Sequence, residues 1–211
     1  MAASSPKLLI LSSPSGGGKT SLARALSMSV ENVSVSISHT TRPKRAGEQD
    51  GEDYFFVGQK SFKEMIEADQ FLEHARVFKY LYGTARSPVQ TRLNDGQSVV
   101  LDIDWQGARQ VRNAIQDTLS VFVLPPSLDD LESRLLTRER ESREIIEERM
   151  RAAIGEISHY VEFDHVIINK DFDVALSELR DILQFGRKPK SADGITRLSF
   201  LQRQKTVRLK D

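Results

Sequence analysis

Residues 7–20 read KLLILSSPSGGGKT. A short apolar run, Lys7–Leu11, gives way to Ser12-Ser13-Pro14-Ser15-Gly16-Gly17-Gly18-Lys19-Thr20. Helical spacing follows, with Leu22, Ala25 and Leu26 on one face of Thr20–Met28. Strand, glycine turn, Lys-Thr and helix form the arrangement that cradles the phosphates of a nucleoside triphosphate. Glycines let successive backbone N–H groups turn inward around a phosphate with no side chain filling the cavity. The helix N-terminus adds its partial positive charge. Lys19 supplies a point charge for the β and γ oxygens, and the Thr20 hydroxyl is a ligand for Mg²⁺. The pattern G-x-x-x-x-G-K-[ST] is met at Gly18, Lys19 and Thr20, whereas Ser13 stands where its first glycine belongs. A glycine-rich surface turn is the plainer alternative; the flanking strand and helix argue against it.

Outward from the loop, Ser98–Ile103, Ser120–Leu124 and His165–Ile168 are further short apolar runs, each followed by a turn or a polar, helix-like stretch. Such runs read as buried parallel strands. Strand–helix alternation predicts an α/β fold with a parallel sheet. Ser61 with Glu64 predicts a capped helix running to Phe71. Ser127, with Asp129 and Asp130 in the first turn, opens another; Glu144–Val161 and Val174–Phe185 complete the helices. From about Ser34 to Tyr82 the texture changes to Thr, Arg, Gly and aromatic residues, and this part reads as an inserted subdomain of short strands. The run Ser98–Asp104 ends in Asp102 and Asp104, two residues apart and so on one face of a strand. An acid there, beside a phosphate loop, is a candidate Mg²⁺ ligand; an acidic turn is the alternative.

The balance of 30 basic and 30 acidic residues gives no global field to draw nucleic acid or a membrane surface. No cysteine occurs, which removes disulfides, thiolate metal sites and thiol nucleophiles and is compatible with a reducing compartment. No apolar run approaches a membrane span, and the N-terminus lacks a signal-peptide pattern. A cytoplasmic protein binding no nucleic acid is expected. Residues 187–211 carry eight Lys/Arg against two acids and read as a poorly ordered tail.

SPSGGGKT, SHTTRPKRAGEQDGEDYFF, FLEHARVFKYLYGT and LDIDWQG together resemble the guanylate kinases, from about Lys7 to Phe185. The resemblance implies a phosphate-loop NTPase-type parallel-sheet core with helices on both faces (5–33, 96–126 and 162–186). It also implies an inserted mixed β/α GMP-binding subdomain (34–95) and a helical lid (about 127–161). It implies γ-phosphoryl transfer from ATP to GMP, or dGMP, with Mg²⁺. Arg42, Arg45, Tyr54 and Tyr82 are similar to the family's ligands for the GMP phosphate. Ser38, Glu73, Thr84 and Asp104 match its guanine contacts. Arg138 and Arg149 match its arginines around the transferring phosphoryl, and Asn169 falls in its adenine-side loop. The expected catalytic residues are Lys19, Arg42, Arg138 and Arg149. The loop Ser12–Thr20 with Asn169 is expected to hold ATP, and Thr20 with Asp102 the metal.

The residue types make independent chemical sense. Arginine forks match phosphate oxygens. Guanine presents N1–H and N2–H₂ to a carboxylate such as Glu73, where adenine offers a bare lone pair. Arg138 and Arg149 are about three helical turns apart, although the RERES stretch can break a helix between them. Two other functions stay open at this point: a non-catalytic binding module of the same fold, and a kinase for another nucleoside monophosphate. Monomer and homo-oligomer are equally open.

Overall fold

A computed structural model describes residues 5–138 and 143–186. The basic tail, 187–211, lies outside the described residues. The chain divides into two compact units. One is formed by the chain up to Ile10 with Val30–Leu119, the other by Leu11–Ser29 with the chain from Ser120 onward. Each of the four apolar runs becomes a strand of a five-stranded sheet of order β2-β7-β1-β8-β9. In it, β1 is Leu8–Ser12, β2 Val33–Val35, β7 Ser98–Asp102, β8 Thr118–Leu124 and β9 His165–Ile168. Apart from β8 and β9, sheet neighbours here are not sequence neighbours, so the strands are joined by crossovers. The β2–β7 and β8–β9 pairs are parallel, with Val33 opposite Ser98 and Val121 opposite His165. β1 is buried along its whole length, as a strand covered on both faces must be.

Within the first unit a second, four-stranded sheet has the order β4-β3-β6-β5. Its strands are β3 (His39–Thr40), β4 (Phe55–Phe56), β5 (Phe71–Val77) and β6 (Tyr80–Ala85). β3 and β4 run parallel, while β3–β6 and β5–β6 are antiparallel, so the sheet is mixed as expected. Two helices of this unit are α2 (Gln59–Glu67) and α3 (Arg86–Asn94). Phe62 of α2 is buried and stacks on Phe71, ring centres 4.6 Å apart.

Four expectations for this unit are corrected. Ser34 and Val35 read with the insertion, yet they pair with β7 in the larger sheet; the insertion begins after β2. Ser61 and Glu64 do not cap α2, which starts a turn earlier after the extended Gly58. The helix does not reach Phe71 either. Asp69 turns left-handed (φ 48°) just past its end, a conformation Asp tolerates better than most residues, and β5 begins at Phe71. Asp104 is not a strand residue facing the way of Asp102. It is the N-cap of α4 (Trp105–Ala114), accepting from the Gly107 N–H at 2.8 Å. Next to it Trp105 is half-buried, with the Arg109 guanidinium 4.6 Å over its ring.

The second unit contains α1 (Lys19–Ser29), α5 (Leu128–Arg138), α6 (Arg143–Ile157) and α7 (Phe172–Phe185). Ser127 opens α5 as expected, its hydroxyl accepting from the Asp130 N–H at 3.0 Å. Asp171 caps α7 by accepting from Val174 at 3.0 Å, which starts that helix two residues before Val174. Gly186, left-handed at φ 63°, ends it. The single helix expected over Glu144–Val161 is in fact α6 followed by a 3₁₀ turn, Ser158–Glu162. At the change the Ser158 hydroxyl donates to the Gly155 carbonyl at 2.6 Å, and the tighter winding buries Tyr160.

Candidate active site

In the second unit the chain leaves β1 and turns tightly before α1 begins at Lys19. The Gly17 N–H donates to the Pro14 carbonyl at 2.9 Å. Gly16 and Gly18 hold φ of +85° and +94°, which a side chain would strain. Crowding adds to this. A Cβ on Gly17 would stand 2.8 Å from Ser13 Cβ, and one on Gly18 2.5 Å from Asn169 Nδ2. Ser13 thus fills the pattern's first position with little room for anything larger. Lys19 and Thr20 fall on the first two residues of α1, at the helix's partially positive end.

The loop is also held from outside. Asn169, buried at the end of β9, donates its amide to the Gly17 carbonyl at 3.1 Å. The Arg134 guanidinium of α5 donates to the Asn169 carbonyl at 2.9 Å. The Glu156 carboxylate of α6 accepts from the Ser15 N–H at 2.9 Å. Arg138 is the last residue of α5, and its side chain lies outside the described residues. Arg149 sits half-buried in α6. The two arginines are on separate helices, so they do not share one helical face.

In the first unit Arg42, Tyr54 and Tyr82 come together. The guanidinium of Arg42 is 9% exposed. Its carbon lies 5.4 Å from the centre of the Tyr54 ring and 5.7 Å from that of Phe56. The Tyr54 and Tyr82 rings meet edge to face at 5.9 Å. Nη1 and Nη2 of Arg42 donate to Glu48 Oε2 and Oε1 at 3.0 and 2.6 Å. Glu48 also accepts from the backbone N–H of Arg45 at 2.8 Å. Burial opposes the charge on Arg42, but hydrogen bonds and charge from Glu48 and Tyr82 outweigh it, and its pKa is raised. For Glu48 burial is likewise overcome, chiefly by Arg42, and its pKa is lowered. Two more acids stiffen the same loop by accepting backbone N–H groups: Asp53 from Gln49 at 2.7 Å and Asp50 from Phe56 at 2.8 Å.

Glu73 on β5 is 4% exposed. It sits opposite Thr84 in the sheet and is hydrogen-bonded to the Thr84 hydroxyl, which is itself 3.4 Å from the Ser38 hydroxyl. Its carboxylate lies against the first turn of α4, where a Cβ on Gly107 would collide with it. Burial pushes the Glu73 carboxyl up to about 7. Asp104 adds to this by like-charge repulsion, while the bonds from Thr84 pull the other way. Gln110 fixes α4 to β5, accepting from the His74 N–H at 3.1 Å and donating to the His74 carbonyl at 2.7 Å. Ser38, Glu73, Thr84 and Asp104, scattered over 66 residues of sequence, are gathered around one buried carboxyl.

A family model described as guanylate kinase matches residues 5–185. The chain belongs to the guanylate kinase family. It is 52% identical over 180 residues to a guanylate kinase of Methylococcus capsulatus, covering 85% of this chain and 88% of that one. A guanylate kinase of Legionella pneumophila is 50% identical over 179 residues, covering 85% and 86%. Among solved structures, the crystal structure of guanylate kinase from Anaplasma phagocytophilum is similar with a TM-score of 0.72. It is 34% identical and covers 86% of each chain.

The structure adds residues that no motif singled out. Glu48, Gln110 and Glu156 each tie a candidate ligand segment to its surroundings. Glu48 had one signal, an acid inside a loop of arginines and lysines. Gln110 and Glu156 had none, because their partners lie 36 and 141 residues away. Among the described residues no three His, Cys, Asp or Glu side chains converge to hold a metal unaided, and no helix is long and apolar enough to cross a membrane.

Proposed function

We propose that the protein transfers the γ-phosphoryl group of ATP to GMP, and to dGMP, giving ADP and GDP or dGDP. Membership of the guanylate kinase family supports the reaction. The observation that carries the choice of base is Glu73, a buried carboxyl with a Thr hydroxyl beside it and a pKa near 7. Such a group needs donors. Guanine's N1–H and N2–H₂ supply two and restore the charge that burial disfavours. Adenine at the same place leaves the carboxyl unpaired, a mismatch that sites of this type reject by roughly 10⁴.

On the acceptor side Arg42 and Arg45 bind the GMP phosphate with the hydroxyls of Tyr54 and Tyr82, while Ser38, Thr84 and Asp104 complete the base pocket around Glu73. On the donor side the loop Ser12–Thr20 and the Lys19 ammonium hold the triphosphate, with Asn169 at the adenine side. The hydroxyl of Thr20 and the carboxylate of Asp102 are hard oxygen donors suited to Mg²⁺, which usually completes its shell with substrate phosphates and water. When bound, Mg²⁺ neutralises charge on the phosphates. Transfer through a loose transition state asks the protein chiefly for alignment and positive charge. Lys19 and Arg42 supply that charge, with Arg138 and Arg149 from the lid segment 127–161. No general base is required, because the attacking GMP phosphate is already an anion. A cytoplasmic location fits this reading, because both substrates are charged nucleotides that do not diffuse across bilayers.

The test is a coupled ADP assay with ATP–Mg²⁺ and a panel of nucleoside monophosphates. GMP and dGMP turnover far above AMP, CMP and UMP is expected. ATP binding with no turnover of any monophosphate would sink the catalytic reading.

A further inference from the structure

Arg42 has two edges able to make paired hydrogen bonds: end-on through Nη1 and Nη2, and side-on through Nε and Nη2. Glu48 occupies the end-on edge with both oxygens, and the Pro43 carbonyl takes another Nη1 hydrogen at 2.9 Å. The side-on edge is left to be shared between an incoming phosphate and the Tyr82 hydroxyl, which is hydrogen-bonded to Arg42 and is itself an expected phosphate ligand. A second tie secures the arrangement, since Glu48 Oε2 also accepts from the Arg45 backbone. One carboxylate thereby fixes the side chain of one expected phosphate ligand and the backbone of the other. A long, flexible guanidinium otherwise loses rotamer entropy on meeting its ligand. Here that ordering is already present in the free protein.

We propose that Glu48 is a positioning residue for the monophosphate, gripping the end-on edge of Arg42 so that its side-on edge is presented to GMP. The proposal rests on the reading that Arg42 and Arg45 bind the phosphate of GMP. The opposite role would be a stand-in anion that GMP must displace. The bond to Arg45 favours the first, because a grip on both ligands is kept when phosphate arrives. Burial supports it as well: the Arg42 and Glu48 side chains are 9% and 20% exposed, so the pair is held in place and not merely met at the surface.

The two roles differ in sign. Glu48→Ala is expected to raise the GMP KM by about tenfold or more, since a charge-assisted fork is lost, and to leave the ATP KM unchanged. Glu48→Gln, which keeps the size and one acceptor oxygen, should fall in between. Because Glu48 acts through Arg42, adding Glu48→Ala to Arg42→Ala should lower kcat/KM for GMP no further than about twofold. An unchanged or lower GMP KM in Glu48→Ala would overturn the proposal, as would full additivity in the double variant. If circular dichroism shows Glu48→Ala unfolded, Glu48→Gln decides: a GMP KM raised about threefold with the ATP KM constant supports the grip, and a wild-type KM refutes it. Wild-type protein inactive on GMP would instead sink the functional reading itself.

Discussion

On the proposed reading the Gly16–Thr20 loop and the Arg42 cluster each take a phosphate, and they are built from opposite materials. Around Gly16–Thr20 the working groups are backbone N–H bonds, shaped by positive φ and by Cβ positions that do not exist. Around Arg42 the working groups are side chains, each held by another: Glu48 on the guanidinium, Asp53 and Asp50 on the loop backbone. A backbone cradle recognises phosphate and little else. A side-chain pocket beside a buried Glu73 also reads the base. The difference predicts that damage to the loop should lower the rate for any acceptor, whereas damage to the pocket should act on GMP alone.

The largest effect is expected at Lys19, the one side chain on which the backbone cradle relies for full charge. Lys19→Ala should cut kcat by roughly 10³, the scale of a lost preorganised donor, with the melting temperature nearly unchanged. Retained kcat would mean that the loop contributes binding only, and the contrast between the two regions would collapse.

Next comes the pH dependence of stability, which belongs to the pocket. Glu73 titrates near 7 in the folded protein and near 4.3 when unfolded. Between these values the folded state holds a proton that the unfolded state has lost. Stability from this group is therefore complete below about pH 4 and declines as the pH climbs to 7, by a few kcal/mol in all. Glu73→Gln removes the titration. The wild-type minus variant difference in unfolding free energy, followed by urea titration from pH 4.5 to 8, should become steadily more negative and then level off. A flat difference would place the charged carboxylate in a better-solvated site than its burial indicates.

The same substitution sharpens the comparison through kinetics. Glu73→Gln should raise the GMP KM about 10- to 100-fold, the scale of a hydrogen bond to a charged group, and leave the ATP KM alone. Equal changes in both would remove Glu73 from the base contact.

How far these sites were legible follows the same division. The loop was readable because its parts are contiguous: strand, glycines, Lys-Thr and helix follow one another within residues 7–29. The pocket was readable only through resemblance, since its members meet by sheet pairing and by the docking of α4 on β5. Local patterns even misled there. Ser61 and Glu64 match a capping box, yet both lie inside α2, because Gly58 already supplies the extended residue that starts the helix. Asp102 and Asp104 alternate like strand residues, but Asp104 leaves the strand to cap α4. Ser34 and Val35 sounded like the insertion and were claimed by β7 instead. In the last case a partner strand distant in sequence chose the conformation; in the first two a neighbour three residues away did, and the local pattern does not say which of two competing signals wins.

The smallest expected effect tests whether the backbone cradle is as self-sufficient as its glycines imply. Asn169 reaches 152 residues back to the Gly17 carbonyl, which makes it, like Glu156 on the Ser15 N–H, an exception to the loop's local construction. Asn169→Ala removes that amide but keeps the backbone carbonyl that Arg134 holds, so the change isolates one hydrogen bond. Its loss should cost about 1 kcal/mol of stability. It should also raise the ATP KM severalfold, up to about tenfold, with the GMP KM unchanged. The variant also clears the space that a Cβ on Gly18 would need. Gly18→Ala should nevertheless stay inactive in that background, because φ at +94° is strained for any residue with a side chain. Recovery of activity in the double variant would show that crowding by Asn169, and not backbone conformation, demands glycine at that position.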